Sequence, residues 1–600
     1  MAIGRDPSPI TFLATVFRQY KKISNILFVA LLAISFVVGA SAGDAYASKH
    51  GHHHHHHHGH HVHLNPKMPR AAHAVVRSSC AHTRYPDLCM SSLTGYSGSW
   101  KMSCQKDVIF ASLNLTSTAV GRSYLRLQKL TEAKGLPPSS QTALRDCLDL
   151  MSETLEQLDC TAQRLRTYPS NKSIEEHACD LKILLSAAMT NQDACLEGFS
   201  PLNHTGHPDF PRQKSIKKGA DHVYRMVSNS LAMVTNMTNS DLAMKQQQLL
   251  GRRRRLLGSA SPFKVEGGFP NWMPAGDRKL LQDGAVAADI VVAADGSGNV
   301  RTVTEAINRA PEGSGRRYVI RVKAGVYREN VVVPPRKTNI MLVGDGRGAT
   351  TITGSRSVSD GSTTFSSATF GVFGDRFVAR DITFQNTAGP SKGQAVALRV
   401  GSDFSAFYRC EISGYQDTLY AYSMRQFYRD CTITGTVDFI FGNAAAVFQN
   451  CDILARMPIS GQSNEITAQA RSDPNQNTGF SIQNCRIGGA SDLVPVSPPV
   501  RTFLGRPWMP YSRVVVMRSN IGSVIDPAGW DRWIGDAGLN TLYYGEYMNT
   551  GPGSNTQNRV KWSGVRVMSG SEAERFTVAN FLQGGSWVGS TGLPFSLNLS

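Results

Sequence analysis

Acidic side chains are scarce in this chain of 600 residues, where 45 Asp and Glu stand against 63 Lys and Arg for a formal net charge of +18. Such an imbalance suits a polyanionic partner. Nucleic acid is the partner that charge alone suggests, but no Lys/Arg stripe interleaved with aromatics is present, and the signs of export described below argue against it. An acidic extracellular polymer fits better. Of the two Gly-x-Ser-x-Gly strings, Gly39-Ala40-Ser41-Ala42-Gly43 lies in an uncharged N-terminal run and Gly389-Pro390-Ser391-Lys392-Gly393 opens no predicted helix. Neither is read as a nucleophile elbow, so a serine esterase would need its nucleophile on an unmarked turn. The part of the chain after residue 284 lacks any His/Cys/Asp cluster at metal-ligand spacing, so no metal and no cofactor is expected. The 11 cysteines are an odd count, which leaves at least one thiol unpaired.

What is present divides the chain into segments. Arg5, Arg18, Lys21 and Lys22 precede an uncharged run from Ile23 to Gly43, and Ala45-Tyr46-Ala47 offers a small-x-small cleavage site. Residues 1–47 therefore read as a signal peptide or a signal anchor. Sequons at Asn114, Asn171, Asn203, Asn236 and Asn598 agree with export. Residues 48–73 form a His-rich linker with no apolar partner for its imidazoles. Residues 74–240 carry apolar spacings of three and four, as in Ala143–Leu150 and Leu181–Ala188, which predict an all-α four-helix bundle. Residues 241–283 are a linker set with two basic runs, Arg252-Arg253-Arg254-Arg255-Leu256-Leu257 and Arg278-Lys279-Leu280-Leu281. Both read as processing sites, with Arg255, Leu257, Lys279 and Leu281 at the expected cuts.

From residue 284 to 600 Val, Ile, Thr, Gly and Asn dominate, and a short unit recurs: Arg380-Asp381-Ile382, Arg409-Cys410-Glu411-Ile412, Asp430-Cys431-Thr432-Ile433, Asn450-Cys451-Asp452-Ile453, Asn484-Cys485-Arg486-Ile487 and Arg518-Ser519-Asn520-Ile521. Irregular repeats of one strand type predict an all-β, right-handed parallel β-helix with the isoleucines in an inward ladder. A β-sandwich would not keep the same unit at coil-like intervals. Cys431 and Cys451 fall at one place in adjacent coils and are expected to pair; Cys410 and Cys485 are expected to be buried thiols.

Polar groups set in apolar frames mark the candidate site: Gly393-Gln394-Ala395, Tyr415-Gln416-Asp417-Thr418-Leu419, Gly435-Thr436-Val437-Asp438-Phe439 and Leu504-Gly505-Arg506-Pro507-Trp508. Asp417 and Asp438 are one coil apart, which places them about 4.8 Å from each other. Two carboxylates so close cannot share one pKa, so one stays ionised and its neighbour holds a proton. That division suits ester cleavage, with Asp438 as nucleophile kept anionic by Arg506 and Asp417 as proton donor and acceptor. The amides of Gln394 and Gln416 can donate to the developing oxyanion.

These strings, with Gly325-Val326-Tyr327-Arg328-Glu329, resemble the pectin methylesterase family over roughly residues 284 to 595. The resemblance implies the same roles for Asp417, Asp438, Gln416, Gln394 and Arg506, and substrate contacts at Thr364, Gln394, Arg506 and Trp508. One departure is Ala421-Tyr422, where the family more often has Val-His. The start Cys80-x-x-Thr83-x-Tyr85-Pro86-x-x-Cys89 and the string Thr190-Asn191-Gln192-Asp193-Ala194-Cys195 resemble the pectin methylesterase inhibitor family, which implies disulfides Cys80–Cys89 and Cys147–Cys195. The expected function is hydrolysis of pectin methyl esters in the plant cell wall, with an autoinhibitory pro-region. The alternatives are a β-helix pectin depolymerase, which would need an aspartate cluster or a Ca²⁺ cage, and, for the helical half, a non-enzymatic binding module. Expected partners are methylesterified pectin, a subtilisin-like processing protease and inhibitor proteins. No nucleic acid is expected, membrane contact is confined to the N-terminal segment, and the chain is expected to act as a monomer. Its route is the secretory pathway to the cell wall, with a Golgi-anchored precursor on the anchor reading.

Overall fold

The computed structural model describes residues 68–133, 135–199, 213–253, 265–266, 269–270, 287–494 and 499–599. The signal or anchor segment, nearly all of the His-rich linker, and Arg255, Leu257, Lys279 and Leu281 lie outside these residues. Among the described residues, no helix is long and apolar enough to cross a membrane.

Two short helices, α1 (Arg70–Cys80) and α2 (Pro86–Thr94), form a hairpin closed by the Cys80–Cys89 disulfide. Four long helices follow: α3 (Gln105–Thr131), α4 (Pro138–Thr167), α5 (Ile174–Glu197) and α6 (Gln213–Arg253). Capping residues set their starts. Asp107 accepts from the backbone of Ser103 and Cys104 at the head of α3, and Ser173 and Glu176 form a reciprocal capping box at the head of α5. A second disulfide, Cys147–Cys195, ties α4 to α5. Helix α6 continues past residue 240, so Arg252 and Arg253 end a helix instead of lying in a linker, which corrects the predicted boundary.

The second domain is a parallel β-helix whose described strands form sheets of eleven, eight and seven strands. Six successive coils turn from the first sheet into the second through a residue in the left-handed region: Asp381, Arg409, Asp430, Asn450, Asn484 and Arg518 have φ between 49° and 59°. The expected isoleucine ladder runs Ile412, Ile433, Ile453, Ile487 and Ile521 in register. Its first member differs from expectation. Phe384, not Ile382, pairs with Ile412, and Ile382 takes the place that Cys410 holds in the next coil.

The expected Cys431–Cys451 disulfide is not formed; both are buried free thiols, as are Cys410 and Cys485. In-register parallel strands hold equivalent Cβ atoms about 4.8 Å apart on parallel vectors, beyond the usual 3.5–4.5 Å of a disulfide. Instead the sulfurs point at backbone oxygens, with Cys431 Sγ 3.5 Å from Phe407 O and Cys451 Sγ 3.7 Å from Tyr428 O.

The bundle lies against the seven-stranded sheet. Its apolar residues share one core with Phe365, Val396, Tyr420, Tyr422, Phe441 and Ala468 of the β-helix.

Candidate active site

Strand register brings the two predicted aspartates together. Leu419 pairs with Ile440 in the seven-stranded sheet, so two residues upstream Asp417 lies beside Asp438. Both sit at bends in the left-handed region, at φ 60° and 52°. An Asp tolerates that conformation better than a branched residue would, and the bend aims its carboxyl out of the strand. Gly435 makes the approach possible, since a Cβ there would lie 2.7 Å from the carbonyl oxygen of Tyr415. Gly505 does the same for the next contributor, where a Cβ would meet Thr467 O at 2.5 Å.

Arg506 grips Asp438 with two parallel hydrogen bonds, Nε to Oδ1 at 2.8 Å and NH2 to Oδ2 at 2.7 Å. Its guanidinium rests on the Trp533 ring, 4.6 Å from the centroid. Burial pushes both carboxyls above the ordinary range, but unequally. At Asp438, Arg506 opposes the rise by charge and by hydrogen bonds. At Asp417, the neighbouring charges of Asp438 and Glu197 add to burial, and its proton is held well above the usual carboxylate range. The site therefore separates an anion from an acid, Asp438 from Asp417.

Gln394, Gln416, Thr364 and Trp508 line the same cavity of about 1240 Å³, together with Asp417, Asp438 and Arg506. All seven residues predicted for the site converge there. Among the described residues no group of three or more His, Cys, Asp or Glu is arranged to hold a metal ion. Sequence reasoning missed the residues that the bundle adds. Asp193 and Glu197, from the last turn of α5, also line the cavity, and the Glu197 carboxylate accepts from Thr364. The unusual Tyr422 is wholly buried beneath the bundle, where its hydroxyl donates to Asn191 Oδ1 at 2.8 Å. Asn443 Nδ2 donates to Thr190 Oγ1 at 3.0 Å close by.

A β-helix that gathers an arginine-clamped carboxylate, a second carboxyl beside it and amide side chains in one cleft has the makings of a carboxylic ester hydrolase. Comparison with known proteins agrees. Residues 289–585 match the Pectinesterase family and residues 74–233 match the Plant invertase/pectin methylesterase inhibitor family. The chain is 52% identical to Pectinesterase/pectinesterase inhibitor 3 of Arabidopsis thaliana, over 97% of this chain and 98% of that one. It is also 52% identical to Pectinesterase/pectinesterase inhibitor U1 of Solanum lycopersicum, with 97% of each chain covered. Among solved structures, pectin methylesterase from carrot is 62% identical and superposes with a TM-score of 0.52, covering 53% of this chain and 100% of its own. The chain belongs to the pectinesterase family and carries a domain of the inhibitor family ahead of the β-helix.

Proposed function

We propose that this pectinesterase hydrolyses the methyl esters of homogalacturonan, leaving pectate and methanol, and that the helical domain is its own inhibitor. The observation that carries the first part is the stacked Asp417/Asp438 pair with Arg506 bidentate on Asp438. An Asp438 oxygen attacks the ester carbonyl carbon, and the oxyanion that forms receives hydrogen bonds from the amides of Gln394 and Gln416. Each such donor is worth roughly 3 to 4 kcal/mol in comparable sites. Collapse expels methoxide, which takes the Asp417 proton and leaves as methanol. The acid is now a base: Asp417 takes one proton from water as it attacks the acyl–Asp438 anhydride, which restores both aspartates and releases galacturonic acid, whose remaining proton passes to solvent. No step uses a metal. Methanol release from methylesterified pectin tests the reading, and chelator is expected to leave the rate unchanged. A loss restored by Ca²⁺ would instead favour a lyase.

The domain contact supports the second part. Asp180 of α5 reaches Arg425 NH1 at 2.8 Å in a buried pair, and Ser228 Oγ donates to Asp473 at 2.6 Å. Between them, α5 lays Asp193 and Glu197 over the catalytic cleft. Burial pushes Asp193 and Glu197 up to about 7, and Asp146, which accepts from Thr363, up to about 6. Freed from the interface these carboxyls would titrate near their ordinary values of about 4. The docked state therefore binds more protons between about pH 4 and 7, and docking weakens as the pH rises through that window. After a cut in the linker, the bundle is expected to stay on the β-helix at pH 5 and to bind at least about a hundredfold more weakly at pH 8. Size-exclusion chromatography of the cut protein at both pH values reads this directly; equal retention would show that the interface carboxyls do not control docking.

In the intact cell, we propose, the N-terminal segment directs the chain into the secretory pathway, and a subtilisin-like protease cuts it at a basic motif on the way to the cell wall. The sequons and the two Arg/Lys runs ending Leu-Leu support this reading.

A further inference from the structure

The ladder of carboxyls does not stop at Asp438. Ile440 pairs with Thr467 in the next coil, so two residues upstream Asp438 lies beside Glu465. The backbone agrees: Asp417 N donates to Val437 O at 3.0 Å, and Phe439 N donates to Glu465 O at 3.2 Å. Three carboxyls, Asp417, Asp438 and Glu465, therefore occupy equivalent places in three successive coils, about one strand spacing apart. Glu465 is 1% exposed.

One guanidinium faces this stack. Arg506 NH2, which holds Asp438 Oδ2 at 2.7 Å, is 3.9 Å from Glu465 Oε2. The Trp533 ring beneath it restricts rotation toward either side. Ser463 Oγ donates to Glu465 Oε1 at 2.6 Å and fixes the carboxyl in this orientation. Resting on the ester-hydrolase reading above, we propose that Glu465 is a positioning residue of the site, sharing Arg506 with Asp438 and setting the pH range in which Asp438 is an anion while Asp417 keeps its proton.

The charged groups facing Glu465 are Arg506, Asp438 and Asp531. Burial raises its pKa to about 7, against the pull of Arg506 and with the push of Asp438; the Ser463 hydrogen bond opposes the rise and Asp531 adds to it. In mildly acid solution Glu465 is neutral, and the full charge of Arg506 serves Asp438. Above about pH 7 Glu465 ionises. A second negative charge then stands beside Asp438 and two strand spacings, roughly 10 Å, from Asp417, and through the buried stack both hold protons more tightly than they otherwise would. The consequence for Asp417 matters most, because a general acid that keeps its proton longer extends the alkaline limb of the rate profile.

Glu465→Gln preserves the shape and can still accept from Ser463, but removes the charge. The test is methanol release from highly methylesterified pectin between pH 4.5 and 9.5, using the full chain expressed in plant cells and purified as secreted, with wild type in parallel. The alkaline limb of kcat is expected to move down by about one pH unit. At pH 8 this reads as about a tenfold loss, with little change at pH 5.5 and KM nearly constant. Ser463→Ala, which retains the carboxyl but removes the hydrogen bond that favours its ionised form, is expected to shift the limb the same way by less. A profile that keeps its shape in both variants, at full or uniformly lowered rate, would overturn the inference; if Glu465→Gln is not secreted, Ser463→Ala alone decides on the same criterion. Wild type that releases no methanol would instead overturn the ester-hydrolase reading, and this inference with it.

Discussion

Asp438→Asn is expected to abolish methanol release, with kcat lower by about five orders of magnitude, because the variant keeps the shape of the site and loses its nucleophile. Asp417→Asn should lose about 10² to 10⁴, the usual worth of a positioned general acid. Combining the two should cost little more than Asp438→Asn alone. The two groups act in one sequence of steps, so their effects do not add. Arg506→Lys is expected to be damaging too, since a single ammonium cannot reproduce the paired bonds at 2.8 and 2.7 Å that hold Asp438 in line. The measurement is methanol release, with circular dichroism to show that the β-helix persists. Near-normal turnover by Asp417→Asn would move the general acid elsewhere, and normal turnover by Arg506→Lys would reduce that residue to a solvated charge.

How much of this was legible depends on which coils are regular. Asp417 and Asp438 are 21 residues apart, as are Ile412 and Ile433, so counting along the chain aligns them without a structure. The left-handed residue before each Cys or Ser slot also left a trace, because Asp, Asn and Arg recur there. Glu465 escaped the same count. An insertion between Ala455 and Asn464 lengthens its coil to 27 residues, and only the pairing of Ile440 with Thr467 restores the alignment. Insertion explains Ile382 as well, since the longer stretch ahead of Ile412 hid Phe384 as the true ladder member. The Cys431–Cys451 pairing failed for another reason. Equivalent slots in adjacent coils are what a stack produces, but a disulfide needs Cβ atoms that converge. Contacts between the domains left no periodic trace at all, and so Tyr422, marked in the sequence only as a departure from the family pattern, proved to be a buried partner of Asn191.

The second large effect expected is silence of the uncut chain. Asp193 and Glu197 of α5 and Pro137 and Pro138 at the head of α4 line the catalytic cleft, so on the reading proposed above the bundle stands where a polymer would have to lie. Tethering strengthens the block. A linker that keeps the bundle at an effective millimolar concentration turns an inhibitor of micromolar affinity into about a thousandfold suppression. The buried Arg425–Asp180 pair can part without leaving either charge alone, since Arg425 keeps Asp403 and Asp180 keeps Arg164 and Lys172 within their own domains. On the same reading, cutting the chain ends the tethering and lets the bundle leave as the pH rises. Replacing Arg252 to Arg255 and Arg278-Lys279 together by alanine is expected to leave a precursor that is retained in the cell and at least about a thousandfold less active than the secreted form. That secreted form is expected to begin after Leu257 or Leu281. N-terminal sequencing of the wall-associated protein, with methanol release measured on the same sample, decides the matter: a fully active, exported form still carrying Cys80 to Cys195 would show that the bundle neither blocks the cleft in cis nor holds the precursor back.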